Sequence, residues 1–242
     1  MFRAITTGLL AVAILIGGSA ASATAVKACP LDELDHCYTR SEMADFARIA
    51  VAMVGEFMGT IDPQNEFAPS AVYLIEDQQT VSDGCEGFVR DRMADATSYF
   101  YCPADNGIYL GLTQMWDFYV SFGAAAPVIG LAHEFGHLIQ HAVGIPEPES
   151  FDEAIALENQ ADCVAGAFAA HLRDEGSINK TEVKNLEKFL RSIGAAERPG
   201  RDHGTPAERA NAFRKGLRDG LMACNSFVNQ HPISKNAQRS AR

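Results

Sequence analysis

The stretch that most constrains the fold is residues 127–142, PVIGLAHEFGHLIQHA. Val128, Leu131, Ala132, Phe135, Leu138, Ile139 and Ala142 recur every three or four residues, the spacing of one helix face. Pro127 suits a first helical position, and the helix is expected to end before Gly144. A segment this apolar belongs in a protein interior, yet its middle carries His133, Glu134 and His137. Polar groups taken out of water need partners. The chain must therefore fold so that a second element delivers those partners. His133 and His137 stand one turn apart on one face, where two neutral imidazoles can share a zinc ion. Glu134 lies about 100° round the helix, beside such a metal and within reach of a water on it. Gly136 leaves room for another backbone to approach.

Two histidines do not complete a zinc site, so the third ligand decides the matter. The pattern HExxHxxGxxH would need glycine at 140 and histidine at 143, where the sequence has Gln140 and Val143. His141 lies a further turn up the same helix, and ligands at i, i+4 and i+8 do not converge on one ion. A carboxylate from a second helix is the other solution. Residues 150–176 read as that helix, with Ser150 and Glu153 as a capping box and Gly176 at the end. Within it, Glu158 sits among small residues that permit tight packing. Asp162, one turn later, can accept the remaining N–H of a ligand histidine. Glu147, Glu149 and Glu153 are poorer candidates, in a Pro-rich loop or a first turn. The plain alternative makes all these groups ordinary charges on solvated helix faces.

Arg3 and the apolar run 4–16, followed by GGSAASATA, read as an export signal cleaved near residue 23. The run is too short for a convincing bilayer anchor, and no other stretch could span a membrane. Cys29 just beyond the cleavage region raises lipidation as a rival, although Lys27 fits such a site poorly. Losing Arg3 with the signal takes the net charge from −11 to −12. That balance argues against nucleic acid or anionic lipid as the main partner. Residues 24–228 are expected to form one domain, and 229–242 a flexible tail. The six cysteines form an even set in an exported chain without any CxxC, which suggests disulfides rather than a cysteine-only metal site. Local spacing favours Cys29–Cys37 and Cys85–Cys102, leaving Cys163–Cys224.

Helical spacing predicts a helix over 41–59, stopped by Gly59, and another over 181–193. Thr205, Pro206 and Glu208 predict a capped helix start. Residues 70–77 and 107–112 read as strands, and 78–106 as a disulfide-tied loop. The strand at 107–112 is expected to edge the cleft and to pair with extended substrate. The expected class is a mainly helical α+β domain, with a small sheet beside the HExxH helix and disulfide bridges.

HEFGH at 133–137 with ENQAD at 158–162 resembles the glutamate zincins, in which a helix bearing ExxxD supplies the third ligand. The blocks YCPADNGIYLGL, AHEFGHLIQ, LENQADCVAGAFA and HGTPAERANAFRKGL are similar, in that order, to the bacterial neutral zinc metallopeptidase family. The resemblance covers roughly residues 100–225, and departs at Asn159, where the family commonly has leucine. It implies a zincin-like fold, Zn2+ held by His133, His137 and Glu158, a catalytic Glu134, and the bridges Cys85–Cys102 and Cys163–Cys224. The expected activity is hydrolysis of peptide bonds in a peptide or protein substrate. His203, just before a capped helix, is the candidate oxyanion donor, with Tyr101 and Tyr109 as rivals. A zinc-stabilised or disulfide-stabilised binding module of the cell envelope is the other reading.

Overall fold

Alternating buried and exposed turns along the first helical segment produce α1, Met43–Ile61, entered through a 3-10 turn at Arg40–Glu42. It buries Met43, Phe46, Ala50, Val54 and Phe57, and runs two residues past the expected stop at Gly59. The computed structural model describes residues 38–62, 67–85, 93–228 and 232–233. The signal, the cleavage and lipidation sites, the Cys29–Cys37 pairing and almost all of the tail lie outside the described residues.

Among the described residues five strands follow: β1 Ala71–Ile75, β2 Thr80–Val81, β3 Ala94–Asp95, β4 Tyr99–Cys102 and β5 Gly107–Gly111. The segment expected to be loop over 78–106 thus contains three strands. Each is too short to show a period, and Thr97, Ser98 and Pro103 frame β4 in turn-forming residues. The main sheet has the order β1-β5-β4. β1 runs parallel to β5, placing Tyr73 opposite Tyr109, and β4 runs antiparallel with Phe100 opposite the same Tyr109. The expectation that strand 107–112 edges the cleft is corrected here. β5 is the buried centre of the sheet, and β4 is its outer strand on the side of the cleft. Leu112 already belongs to a helix.

The remaining helices are α2 Leu112–Phe122, α3 Ala125–Ala142, α4 Phe151–Asp174, α5 Lys180–Ser192 and α6 Pro206–Asp219. α2 was not expected from the sequence; it buries only Met115 fully, and its Trp116, Phe118, Tyr119 and Val120 are strand-prone. α3 begins two residues before Pro127 and is buried almost throughout, as its composition requires. Ser150 accepts the Glu153 N–H at the start of α4, but the Glu153 carboxylate accepts the Glu149 N–H instead, so only half of the expected capping box forms. The Thr205–Glu208 capping box of α6 is complete.

α3 lies against α4, and α4 against α6. The second crossing is so close that a Cβ on Gly166 or Gly216 would collide with the Phe213 or Cys163 carbonyl. The main core joins α1, α3, α4 and α5 to Ile108 and Leu110 of the sheet, while Ile75, Cys85, Cys102 and Tyr109 form a smaller cluster on its other face. Cys85–Cys102 and Cys163–Cys224 are bonded, with Cα separations of 5.9 and 5.5 Å. Among the described residues no helix is long and apolar enough to cross a membrane.

Candidate metal centre

The polar interruption of α3 meets the polar interruption of α4. A Cβ on Gly136 would stand 2.8 Å from the Cα of Ala161, so the glycine lets the two helices touch within a turn of Glu158. His133 Nε2 and His137 Nε2 lie 3.1 Å apart. Glu158 reaches both, with Oε2 at 3.4 Å from His133 Nε2 and Oε1 at 3.3 Å from His137 Nε2.

Partners behind the rings fix which nitrogen faces this point. Asp162 Oδ1 lies 2.8 Å from His133 Nδ1, and Asp162 is itself held by Arg209 Nε and Nη2, each at 2.8 Å. A carboxylate gripped in this way only accepts, so His133 Nδ1 carries the hydrogen. His137 Nδ1 lies 2.9 Å from Gln140 Oε1. The Gln140 amide nitrogen donates to the Leu157 carbonyl at 2.8 Å, which settles that amide's orientation. His137 Nδ1 is therefore also the N–H side, and both Nε2 lone pairs turn inward toward Glu158.

Glu158 Oε2 is buried and has no hydrogen-bond partner. A buried carboxylate beside two inward-facing imidazole nitrogens is costly unless a metal cation or a proton lies between them. Two imidazole nitrogens and one carboxylate oxygen, all within 4.8 Å of one another, fit a zinc ion. With protein groups alone around it, burial lowers the pKa of His133, but Asp162 and then Glu158 overcome this and raise it to about 10. Burial raises Glu158, and the paired imidazoles of His137 and His133 outweigh that, holding it well below the usual carboxylate range. Asp83 also lies near Cys85 and Cys102, but those sulfurs are bonded to each other.

Glu134 points elsewhere, as its place on the helix requires. Its Oε2 accepts the main-chain N–H of Tyr101 in β4 at 2.9 Å. Burial is the chief cause of its raised pKa, and the two histidines pull against it. The four groups open onto a cleft of about 470 Å3 lined also by Tyr99, Tyr101, Glu147 and His203. His203 is half exposed, with Nδ1 2.9 Å from Asp202 and Nε2 3.7 Å from Glu158 Oε2. His141 stays apart, bonded to the Tyr101 hydroxyl at 2.7 Å. Tyr101 lines the cleft, but its hydroxyl is committed to Asn106 and His141. Tyr109 is removed as a rival donor. It stacks between Tyr73 and Phe100 on the far face of the sheet, and its hydroxyl donates to Asp105. Two residues of the centre escaped the sequence reading: Gln140 and Arg209. Gln140 was visible as a polar residue in an apolar helix, whereas Arg209 looked like one more surface charge in AERANAFRKG.

The family model "Putative neutral zinc metallopeptidase" matches residues 10–227. This chain belongs to that family. The family implies Zn2+ as the metal, in accord with the donor set above. Among curated proteins the chain is similar to "Uncharacterized protein YpfJ" of Escherichia coli strain K12, at 29% identity over 53% of each chain. The YpfJ of Escherichia coli O6:H1 matches to the same extent. This chain spans about half the length of the curated relatives it matches. No solved structure matches it significantly.

Proposed function

We propose that this chain is an exported, zinc-dependent endopeptidase of the glutamate-zincin type. The reading is carried by the convergence of His133 Nε2, His137 Nε2 and the Glu158 carboxylate on one buried point beside an open cleft. In it, those three residues hold the ion and Asp162 fixes the tautomer of His133. Zinc, when bound, supplies a Lewis acid that acidifies water and polarises a carbonyl. Glu134 takes the proton of the attacking water and returns it to the leaving amine. Burial raises its pKa, which favours taking up that proton. The Tyr101 N–H engages Oε2 and leaves Oε1 for the proton. His203, held at Nδ1 by Asp202, presents Nε2 to the same cleft and donates to the developing oxyanion.

A purely structural zinc site would close the fourth position with a protein donor. Among the described residues no fourth His, Cys, Asp or Glu joins the set. That favours hydrolysis over a zinc-stabilised binding module. Substrates are peptides or proteins rather than nucleic acid, given the chain's negative balance. Export rests on the signal at 1–23 and on the two bridges, which persist in oxidising compartments.

Cleavage profiling on a denatured proteome tests the proposal, with metal analysis of the same preparation. Wild type should hold one zinc and cleave, and chelation should stop it. Glu134→Gln should keep zinc and lose cleavage; a Glu134→Gln protein that cleaves normally overturns the assignment. Unchanged kcat in His203→Ala, with normal zinc content, removes His203 from the mechanism. N-terminal sequencing of protein recovered outside the cytoplasm tests export and the cleavage position.

A further inference from the structure

The two imidazoles are braced by different chemistry, and only one brace was visible from the motif. His133 rests on the Asp162–Arg209 ion pair. His137 rests on Gln140, three residues along its own helix. Behind Gln140 runs a chain of amides: its Nε2 donates to the Leu157 carbonyl and, at 3.0 Å, to Gln160 Oε1. Gln160 Nε2 in turn reaches the Cys224 carbonyl at 3.4 Å, on the 3-10 turn that the Cys163–Cys224 bridge pins to α4. Gln140, Gln160 and Cys224 are all buried, so these amides face one another rather than bulk water.

We infer that Gln140, aligned by Gln160, is the positioning residue that sets the tautomer and ring orientation of His137 for metal binding. The inference rests on the zinc-site reading above. An amide can present either its oxygen or its nitrogen to Nδ1. If the nitrogen faced it, His137 Nδ1 would have to accept, Nε2 would carry the hydrogen, and the ring could not bind metal through Nε2. The Leu157 carbonyl and Gln160 Oε1 both demand a donor, and so turn the Gln140 oxygen toward the ring. Gln160 cannot reverse, because its own nitrogen is drawn to the Cys224 carbonyl. Orientation thus propagates from the disulfide-pinned turn to a metal-facing nitrogen through neutral groups alone. Neither glutamine touches the reacting atoms, so neither is catalytic.

The test compares Gln140→Met, of similar volume but without an acceptor, with Gln140→Glu, which keeps one. Zinc affinity is measured by chelator competition. The His137 ring is observed by long-range proton–nitrogen NMR in the zinc-loaded protein. Gln140→Met should bind zinc about 10–100-fold more weakly, the usual effect of losing such a brace. Its His137 Nδ1–H signal should move and exchange faster with water. Gln140→Glu keeps the acceptor, so the Nδ1–H signal should stay in place, while loss of the donor to the Leu157 carbonyl and Gln160 Oε1 should weaken zinc by less than Gln140→Met does. Gln160→Met should weaken zinc in the same direction by less, and the double variant should lose less than the product of the two. Equal losses in Gln140→Met and Gln140→Glu, with both folded, would reduce Gln140 to packing and overturn the inference. So would a Gln140→Met protein with wild-type affinity and an unmoved signal. If Gln140→Met does not fold, the Gln160→Met signal decides the matter in the same way. Failure of wild type itself to bind zinc would instead overturn the zinc-site reading.

Discussion

Gly136→Ala perturbs the proposed zinc site without altering any group that would bind the ion. The added methyl would stand 2.8 Å from Ala161 Cα and 2.9 Å from its Cβ. Carbon atoms in contact sit about 3.5–4.0 Å apart, so α4 must retreat by about 1 Å or tilt by an equivalent amount. Forced overpacking of this kind costs about 1–3 kcal/mol. Ala161 lies within a turn of Glu158, so the carboxylate retreats with it while both imidazoles stay on α3. Metal–ligand distances tolerate about 0.2 Å, several times less than that movement. Zinc affinity should therefore fall by about 100-fold, about 2.7 kcal/mol, a loss that reduced folding stability would not by itself produce in a protein that stays folded. The assay is chelator competition beside thermal unfolding of the zinc-stripped protein. Gly55→Ala is the control: a Cβ there meets nothing within 4 Å, and the change should stabilise α1 by about 0.5–1 kcal/mol. If Gly136→Ala folds and binds zinc within about threefold of wild type, under 1 kcal/mol, backbone contact between the helices is not what places Glu158.

Glu158→Gln should lose zinc by about 100-fold or more while remaining folded, since the amide would offer a weaker oxygen to the same rings; inductively coupled plasma analysis after dialysis checks this. The zinc-stripped protein should lose stability as pH rises. His133 is raised from its ordinary value of 6.5 to about 10, so its contribution is full below pH 6.5 and disappears on the way to pH 10. Zinc competes with that same proton, so apparent zinc affinity should climb over the window in which the stripped protein weakens; parallel melts and titrations should slope in opposite directions. Reducing Cys163–Cys224, which closes a separation of 61 residues, should cost about 4 kcal/mol by loop entropy. A shift in denaturation midpoint between Cys163→Ala/Cys224→Ala and wild type measures it.

How much of this could be read beforehand depended on whether a signal was periodic or pairwise. α3, α4 and α6 declared themselves through spacing and caps, and their polar exceptions, His133, His137, Glu158 and Asp162, pointed to one another because burial demands partners. The sheet was harder. β4 is four residues long, and its role depends on lying outside β5, a fact about strand order that no local pattern encodes. That is why strand 107–112 was misplaced at the cleft edge and Tyr109 was considered near the metal. Arg209 was hidden for a related reason. An arginine on an amphipathic helix looks like surface until a buried acid on another helix claims it.

The bond between Cys85 and Cys102 ends one residue from Tyr101, whose main-chain N–H grips the proposed base, Glu134. Oxidation of two thiols and alignment of a proton acceptor are thereby mechanically joined. Where those two thiols are reduced, β4 is unlatched at that end. On the proposed reading, an order of events follows, with crossing first, oxidation second and competence last.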